Sequence, residues 1–152
     1  MPFKDGIGDE KYYFVFEQVL NKIKDVYKPD IVICQMGADT LSGDPMNGFN
    51  LTQKGIGNCL SSLLDFKLPS IILGGGGYHL LNTARLWTYL TSVAVNITLD
   101  NDIPDHCFFL AYRPSYELQI EKGNRKDFNS DEYLQNILKI IFKNLDNIKS
   151  NI

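Results

Sequence analysis

Tyr12, Val15, Phe16, Val19, Ile23, Val26 and Tyr27 recur at spacings of three and four, which sets them on one face of a helix beginning at Asp9 or Glu10. Lys28-Pro29-Asp30 ends that helix, because proline disfavours helical backbone in the residue before it. The pattern then changes. Ile31-Val32-Ile33-Cys34-Gln35-Met36 is a short β-rich run bounded by turn residues, and it reads as a strand buried on both faces. Residues 37–50 form a loop with three glycines and a proline. Thr52 is the expected N-cap of a second helix reaching Phe66, with Ile56, Leu60, Leu63 and Leu64 on its apolar side. Gly55 and Gly57 weaken its first turn.

Ser70-Ile71-Ile72-Leu73 repeats the buried-strand signature and runs into Gly74-Gly75-Gly76-Gly77. A third helix is predicted over residues 80–95, with Ala84, Trp87, Thr91 and Val95 on one stripe. Ile103-Pro104-Asp105-His106 reads as a turn, and residues 108–120 as the place for a short strand. Ser130 caps a last helix carrying Tyr133, Ile137, Ile140, Ile141, Leu145 and Ile148.

Helices alternating with strands imply an α/β fold, with a parallel sheet, right-handed crossovers and helices packed against it. Loops leaving the C-terminal ends of parallel strands share one rim, where ligands bind. Asp39 and Asp44 lie on the loop after the first strand, and Tyr78 on the loop after the second. A carboxylate and a phenol are therefore expected to face one crevice.

Composition narrows the field of function. The 152 residues carry 15 basic and 18 acidic side chains, a net charge of -3, which argues against direct nucleic-acid binding. The odd set Cys34, Cys59 and Cys107 has no C-x-x-C spacing and reads as free thiols. No apolar run has the length of a signal peptide or a membrane span, so a soluble intracellular protein is expected, with no membrane partner.

Each candidate side chain has an ordinary reading beside a chemical one. Asp39 could bind a metal, act as a base or cap its own turn, and Asp44 before Pro45 suits turn initiation. The four glycines lack both the G-x-G-x-x-G spacing and the P-loop ending. They fit a tight turn, or a close approach of backbone to a ligand. Tyr78 is either a packing residue or a donor to a developing oxyanion. His79 and His106 lie far apart, without a second histidine at metal-ligand spacing, and read as surface or structural residues.

Gly37-Ala38-Asp39-Thr40 with Gly43-Asp44-Pro45-Met46 resembles the second metal-ligand loop of class I zinc-dependent histone deacetylases, and Leu73-Gly74-Gly75-Gly76-Gly77-Tyr78 resembles their glycine-tyrosine loop. Asn82-Thr83-Ala84-Arg85, Trp87-Thr88-Tyr89-Leu90-Thr91 and Ile103-Pro104-Asp105-His106 extend the likeness, which covers residues 2 to 120. The resemblance implies an arginase/deacetylase-like α/β sheet flanked by helices, with residues 2–150 forming the C-terminal portion of the catalytic domain and the N-terminal half missing. By it, Asp39 is a zinc ligand, Tyr78 polarises the acetyl carbonyl, and Met46 and Gly76 flank the acyl-lysine channel. The implied reaction is zinc-dependent hydrolysis of acetyl-lysine in histones or other proteins, in nucleus and cytoplasm, in chromatin regulation and transcription repression.

The departures from the family carry equal weight. The family's His-His pair and Asp-x-His ligands have no counterpart among the two histidines here. The expectation is a chain inactive alone, whose further zinc ligands come from the missing half. The alternatives are a non-catalytic interaction module on the deacetylase scaffold, or an amidohydrolase acting on acetylpolyamines.

Overall fold

A computed structural model describes residues 1–149. Its elements are α1 (Asp9–Val26), β1 (Val32–Gln35), α2 (Gln53–Leu64), β2 (Ser70–Leu73), α3 (Leu80–Ala94) and α4 (Asp131–Lys149). Short 3-10 turns at Ala38–Thr40 and Phe109–Tyr112 complete the list. The strands pair in parallel, with Val32 opposite Ser70 and Gln35 opposite Leu73, so both chains leave the sheet at the same end. This is the α/β arrangement expected from the alternation of periods, here as a small two-stranded sheet.

Local signals set the element ends. Thr52 caps α2 by accepting from the Gly55 N–H (3.4 Å). The Asp9 carboxylate fixes that cap, accepting from the Thr52 N–H (2.8 Å) and hydroxyl (2.7 Å). Ser130 Oγ accepts from the Tyr133 N–H (3.2 Å) at the head of α4. The glycines of α2 have a reason that helix propensity alone does not give. A Cβ on Gly55 would collide with Asp9, and one on Gly57 would sit 2.5 Å from Tyr89 Cε1, so both let α2 pack closely between its neighbours.

Two clusters make the core. Met36, Ala38, Leu41, Leu51, Leu60, Leu86 and Leu90 fill the space where α2 and α3 meet the loop after β1. Ile7, Val15, Leu134, Ile137 and Leu138 hold α1 against α4. Tyr12 and Phe49 pack against both.

Several expectations fail on contact with the fold. The strands are not buried on both faces, since Ile33 is 66% exposed and Ile71, Ile72 and Leu73 are also exposed. Burial of a strand depends on what covers it, and only one face of this pair meets the core. The buried side of α3 runs through Thr83, Leu86 and Leu90, whereas Ala84, Trp87, Thr91 and Val95 are exposed. That helix is apolar on more than one face, so periodicity does not choose among them. In α4, Ile140 is exposed and Leu134 is buried. Residues 108–120 hold a 3-10 turn and a single antiparallel bridge between Asp102 and Glu117, not a strand. Arg85 binds this segment to α3: Nε donates to the Glu117 carbonyl (2.7 Å) and Nη2 to the Tyr112 carbonyl (3.3 Å). Among the described residues no helix is long and apolar enough to cross a membrane.

The junction of the two clusters carries a pH signature. Burial pushes the Tyr12 phenol from its ordinary 10.0 up to about 12, with Cys59 and Cys34 adding to the effect. Burial, then the Asp9 carboxylate, pushes the Cys59 thiol from 9.0 up to about 12. Both groups are neutral in the fold and ionise more readily in the unfolded chain. Their contribution to stability is therefore complete below the unfolded values and is lost as pH rises towards about 12. Denaturant midpoints are expected to hold near about pH 8 and fall steadily above about pH 9. Tyr12→Phe should flatten part of that fall, and a midpoint unchanged up to about pH 11 would contradict the assignment.

Candidate active site

The loops after β1 and β2 meet over the C-terminal end of the sheet. Pairing continues past the strands: the Met36 N–H donates to the Leu73 carbonyl (2.8 Å) and the Ala38 N–H to the Gly76 carbonyl (2.5 Å). The first loop then winds into the 3-10 turn Ala38–Thr40, which places Asp39 directly over the second loop. A Cβ on Gly37 would lie 2.8 Å from Asp39 Oδ1 and 3.2 Å from the Gly76 nitrogen, and one on Gly76 would strike the Asp39 carboxylate.

The glycine run is thereby explained residue by residue. A Cβ on Gly74 would meet the Trp87 ring at 2.8 Å, and one on Gly75 would meet the Gly37 Cα at 2.9 Å. Gly77 has φ +144° and would press on Ala38 Cβ at 2.8 Å. The close approach expected of these glycines is therefore to the first loop and to α3, within the protein itself. The Trp87 indole N–H closes the same corner by donating to the Met36 carbonyl (3.0 Å).

The two acidic residues of the first loop behave differently. Asp39 is half-buried, and among the described residues its carboxylate accepts no hydrogen bond from the turn it sits in. The capping reading of Asp39 is not what the fold displays. Asp44 is 3% exposed, and its carboxylate is fully engaged. Oδ1 accepts from the Met46 N–H (2.9 Å), as a turn-forming aspartate does. Oδ2 reaches across to the second loop and accepts from the Tyr78 N–H (2.7 Å) and the His79 N–H (3.3 Å). Sequence spacing signalled the turn but not the cross-loop bonds, which span 34 residues.

Tyr78 follows this anchored backbone with its side chain 60% exposed, and Met46 is 66% exposed beyond the first loop. His79 is structural: its Nδ1 accepts from the Asn82 N–H (3.2 Å) and caps α3. His106 Nδ1 accepts from the Phe108 N–H (3.1 Å), and its ring lies edge-on to Tyr112 with centroids 5.6 Å apart. Both histidines lie exposed at the surface, each with Nδ1 accepting from a nearby backbone N–H.

A parallel strand pair thus carries a half-buried carboxylate and an exposed phenol on two adjoining loops of an α/β fold, and comparison with known proteins gives the family. Residues 1–94 match the histone deacetylase domain, and the chain belongs to the histone deacetylase family. It is 50% identical to histone deacetylase 8 of Xenopus laevis over 148 residues, covering 97% of the chain and 46% of that relative. Histone deacetylase 8 of Danio rerio is 45% identical, covering 97% of the chain and 39% of the relative. The histone deacetylase RPD3 of Saccharomyces cerevisiae is 40% identical, covering 98% of the chain and 34% of the relative. The chain therefore spans less than half the length of these relatives.

Zinc chemistry must be judged against the donors present. Catalytic zinc takes about three protein ligands and leaves one position open. Among the described residues no group of three or more His, Cys, Asp or Glu side chains could hold a metal ion. Asp39 alone does not make a zinc centre, so no step through the metal follows from these residues by themselves.

Proposed function

We propose that residues 2–150 are the C-terminal portion of a zinc-dependent class I histone deacetylase catalytic domain of the arginase/deacetylase type. Its substrate is acetylated lysine in histones or other proteins. Asp39 is one of the ligands of a zinc ion whose other ligands, with the His-His pair, come from the N-terminal part of the same domain. The observation that carries this reading is the Asp39 carboxylate, free of hydrogen bonds among the described residues, lying against Gly76 two residues before Tyr78. Held by Asp39 together with ligands from the N-terminal part, zinc would supply Lewis acidity and an activated water.

The chain's own residues supply the rest. The Tyr78 hydroxyl donates to the oxygen that gains charge as the acetyl carbonyl is attacked, an interaction worth roughly 2.7–4 kcal/mol in comparable oxyanion sites. Gly76, whose missing side chain makes room for the Asp39 carboxylate, lends its backbone to the wall of the acyl-lysine channel. Met46 offers an exposed apolar surface to the same stem. Ile33 and Ile71, exposed on the sheet, give the N-terminal part an apolar face and an unpaired strand edge to cover. Kinship with the relatives named above supports action in the nucleus and cytoplasm.

Co-expression with the N-terminal part of a class I deacetylase tests the proposal. This chain alone is expected to release no acetate from acetyl-lysine peptides, and the co-expressed pair to hydrolyse them. A pair that assembles without hydrolysis would favour a non-catalytic interaction module.

A further inference from the structure

We propose that Asp44 is the positioning residue of this site, holding the Tyr78 backbone in register with the Asp39 loop. The proposal rests on the deacetylase reading above and adds a residue to its machinery. Asp44 is shut off from solvent. It is 3% exposed, and both of its oxygens are spent on backbone N–H groups, those of Met46, Tyr78 and His79.

A turn alone needs only the Met46 bond. The second oxygen goes to the residue whose hydroxyl would do chemistry and to the next one, which caps α3 through its ring. Hydrogen bonds from backbone N–H to a carboxylate are roughly twice as strong as neutral ones, and burial removes water as a competitor. The carboxylate thereby fixes where the Tyr78 Cα stands relative to Asp39. The Tyr78 side chain, which is exposed and makes no hydrogen bond of its own among the described residues, takes its starting point from that anchor. The glycines before it supply no side chain that could do the same.

Asp44→Asn is the informative variant because it conserves shape. Its carbonyl oxygen still accepts from Met46, but its NH2 group confronts the Tyr78 and His79 N–H donors. In the co-expressed deacetylase, kcat is expected to fall about tenfold to a hundredfold, as misplacement of a reacting group by about 1 Å does. KM and bound zinc should stay within about twofold, since neither depends on the hydroxyl in the transition state. Placed on Tyr78→Phe, the same substitution should lower the rate by less than about twofold, because the group it positions is gone. An equal loss in both backgrounds, or a loss carried by zinc or KM, would overturn the proposal.

Tyr78→Phe turning over at the wild-type rate would instead remove the deacetylase reading, and the positioning role with it. Should Asp44→Asn fail to fold, amide exchange in the unsubstituted assembly decides. Tyr78 and His79 amides slowed at least about tenfold relative to free loop amides support the anchor, and unprotected exchange overturns it.

Discussion

Asp39→Ala, made in the co-expressed deacetylase, is expected to strip the assembly of zinc and to abolish acetyl-lysine hydrolysis while leaving this chain folded. The size of the effect follows from the place of the residue. Loss of an outer partner of a metal ligand already costs roughly 10–100-fold in metal affinity or activity, so loss of a direct ligand should exceed about a hundredfold. The fold should tolerate the change. The Asp39 carboxylate accepts no hydrogen bond among the described residues, and the 3-10 turn is held by backbone bonds such as Ala38 N–H to the Gly76 carbonyl and Leu41 N–H to the Ala38 carbonyl (3.2 Å). Zinc content by elemental analysis, read beside the melting curve, checks both halves. Full zinc occupancy with near-normal turnover would show that the ligand is another residue.

Tyr78→Phe is the second large effect. The hydroxyl is the only part removed, and the ring's exposed position means that little packing is lost. If the hydroxyl donates to the developing oxyanion, kcat should fall about 10²–10³-fold, with KM nearly unchanged and zinc retained. The contrast with Asp39→Ala is diagnostic. One variant should lose the metal, and the other should keep it and lose rate. A rise in KM at constant kcat would make Tyr78 a binding residue and not a transition-state donor.

The parts of the fold legible in the sequence are those whose causes are local. Pro69 and Gly74 bracket Ile71-Ile72-Leu73 so tightly that β2 begins and ends where the pattern does. Thr52 caps α2 because its hydroxyl stands three residues before a free N–H, a local signal that Asp9 then reinforces from α1. What failed depends on distant neighbours. An apolar run such as Ile31-Val32-Ile33 reads the same whether one face is covered or two, and the chain itself covers only one. The apolar residues of α3 surround the helix, so its packing side is decided by where α2 lies.

The site divides in the same way. The motifs single out Asp39 and Tyr78 as candidates, and the parallel strands imply the adjoining loops on which the structure places them. The path by which they are locked together could not be read, because Asp44 looks like any aspartate opening a turn. Its second oxygen is used by a residue 34 positions away. The four glycines were legible as a demand for space, but only the fold identifies Asp39, Gly37, Trp87 and Ala38 as the occupants of that space.

The most direct measurement is the position of zinc in crystals of the co-expressed assembly, located by its anomalous scattering and soaked with an acetyl-lysine mimic. A carboxylate oxygen of Asp39 should lie about 2.0–2.2 Å from the metal, and the Tyr78 hydroxyl within about 3 Å of the mimic's carbonyl oxygen. Zinc bound without Asp39, or a mimic seated out of reach of Tyr78, would contradict the idea that these two loops build one active site.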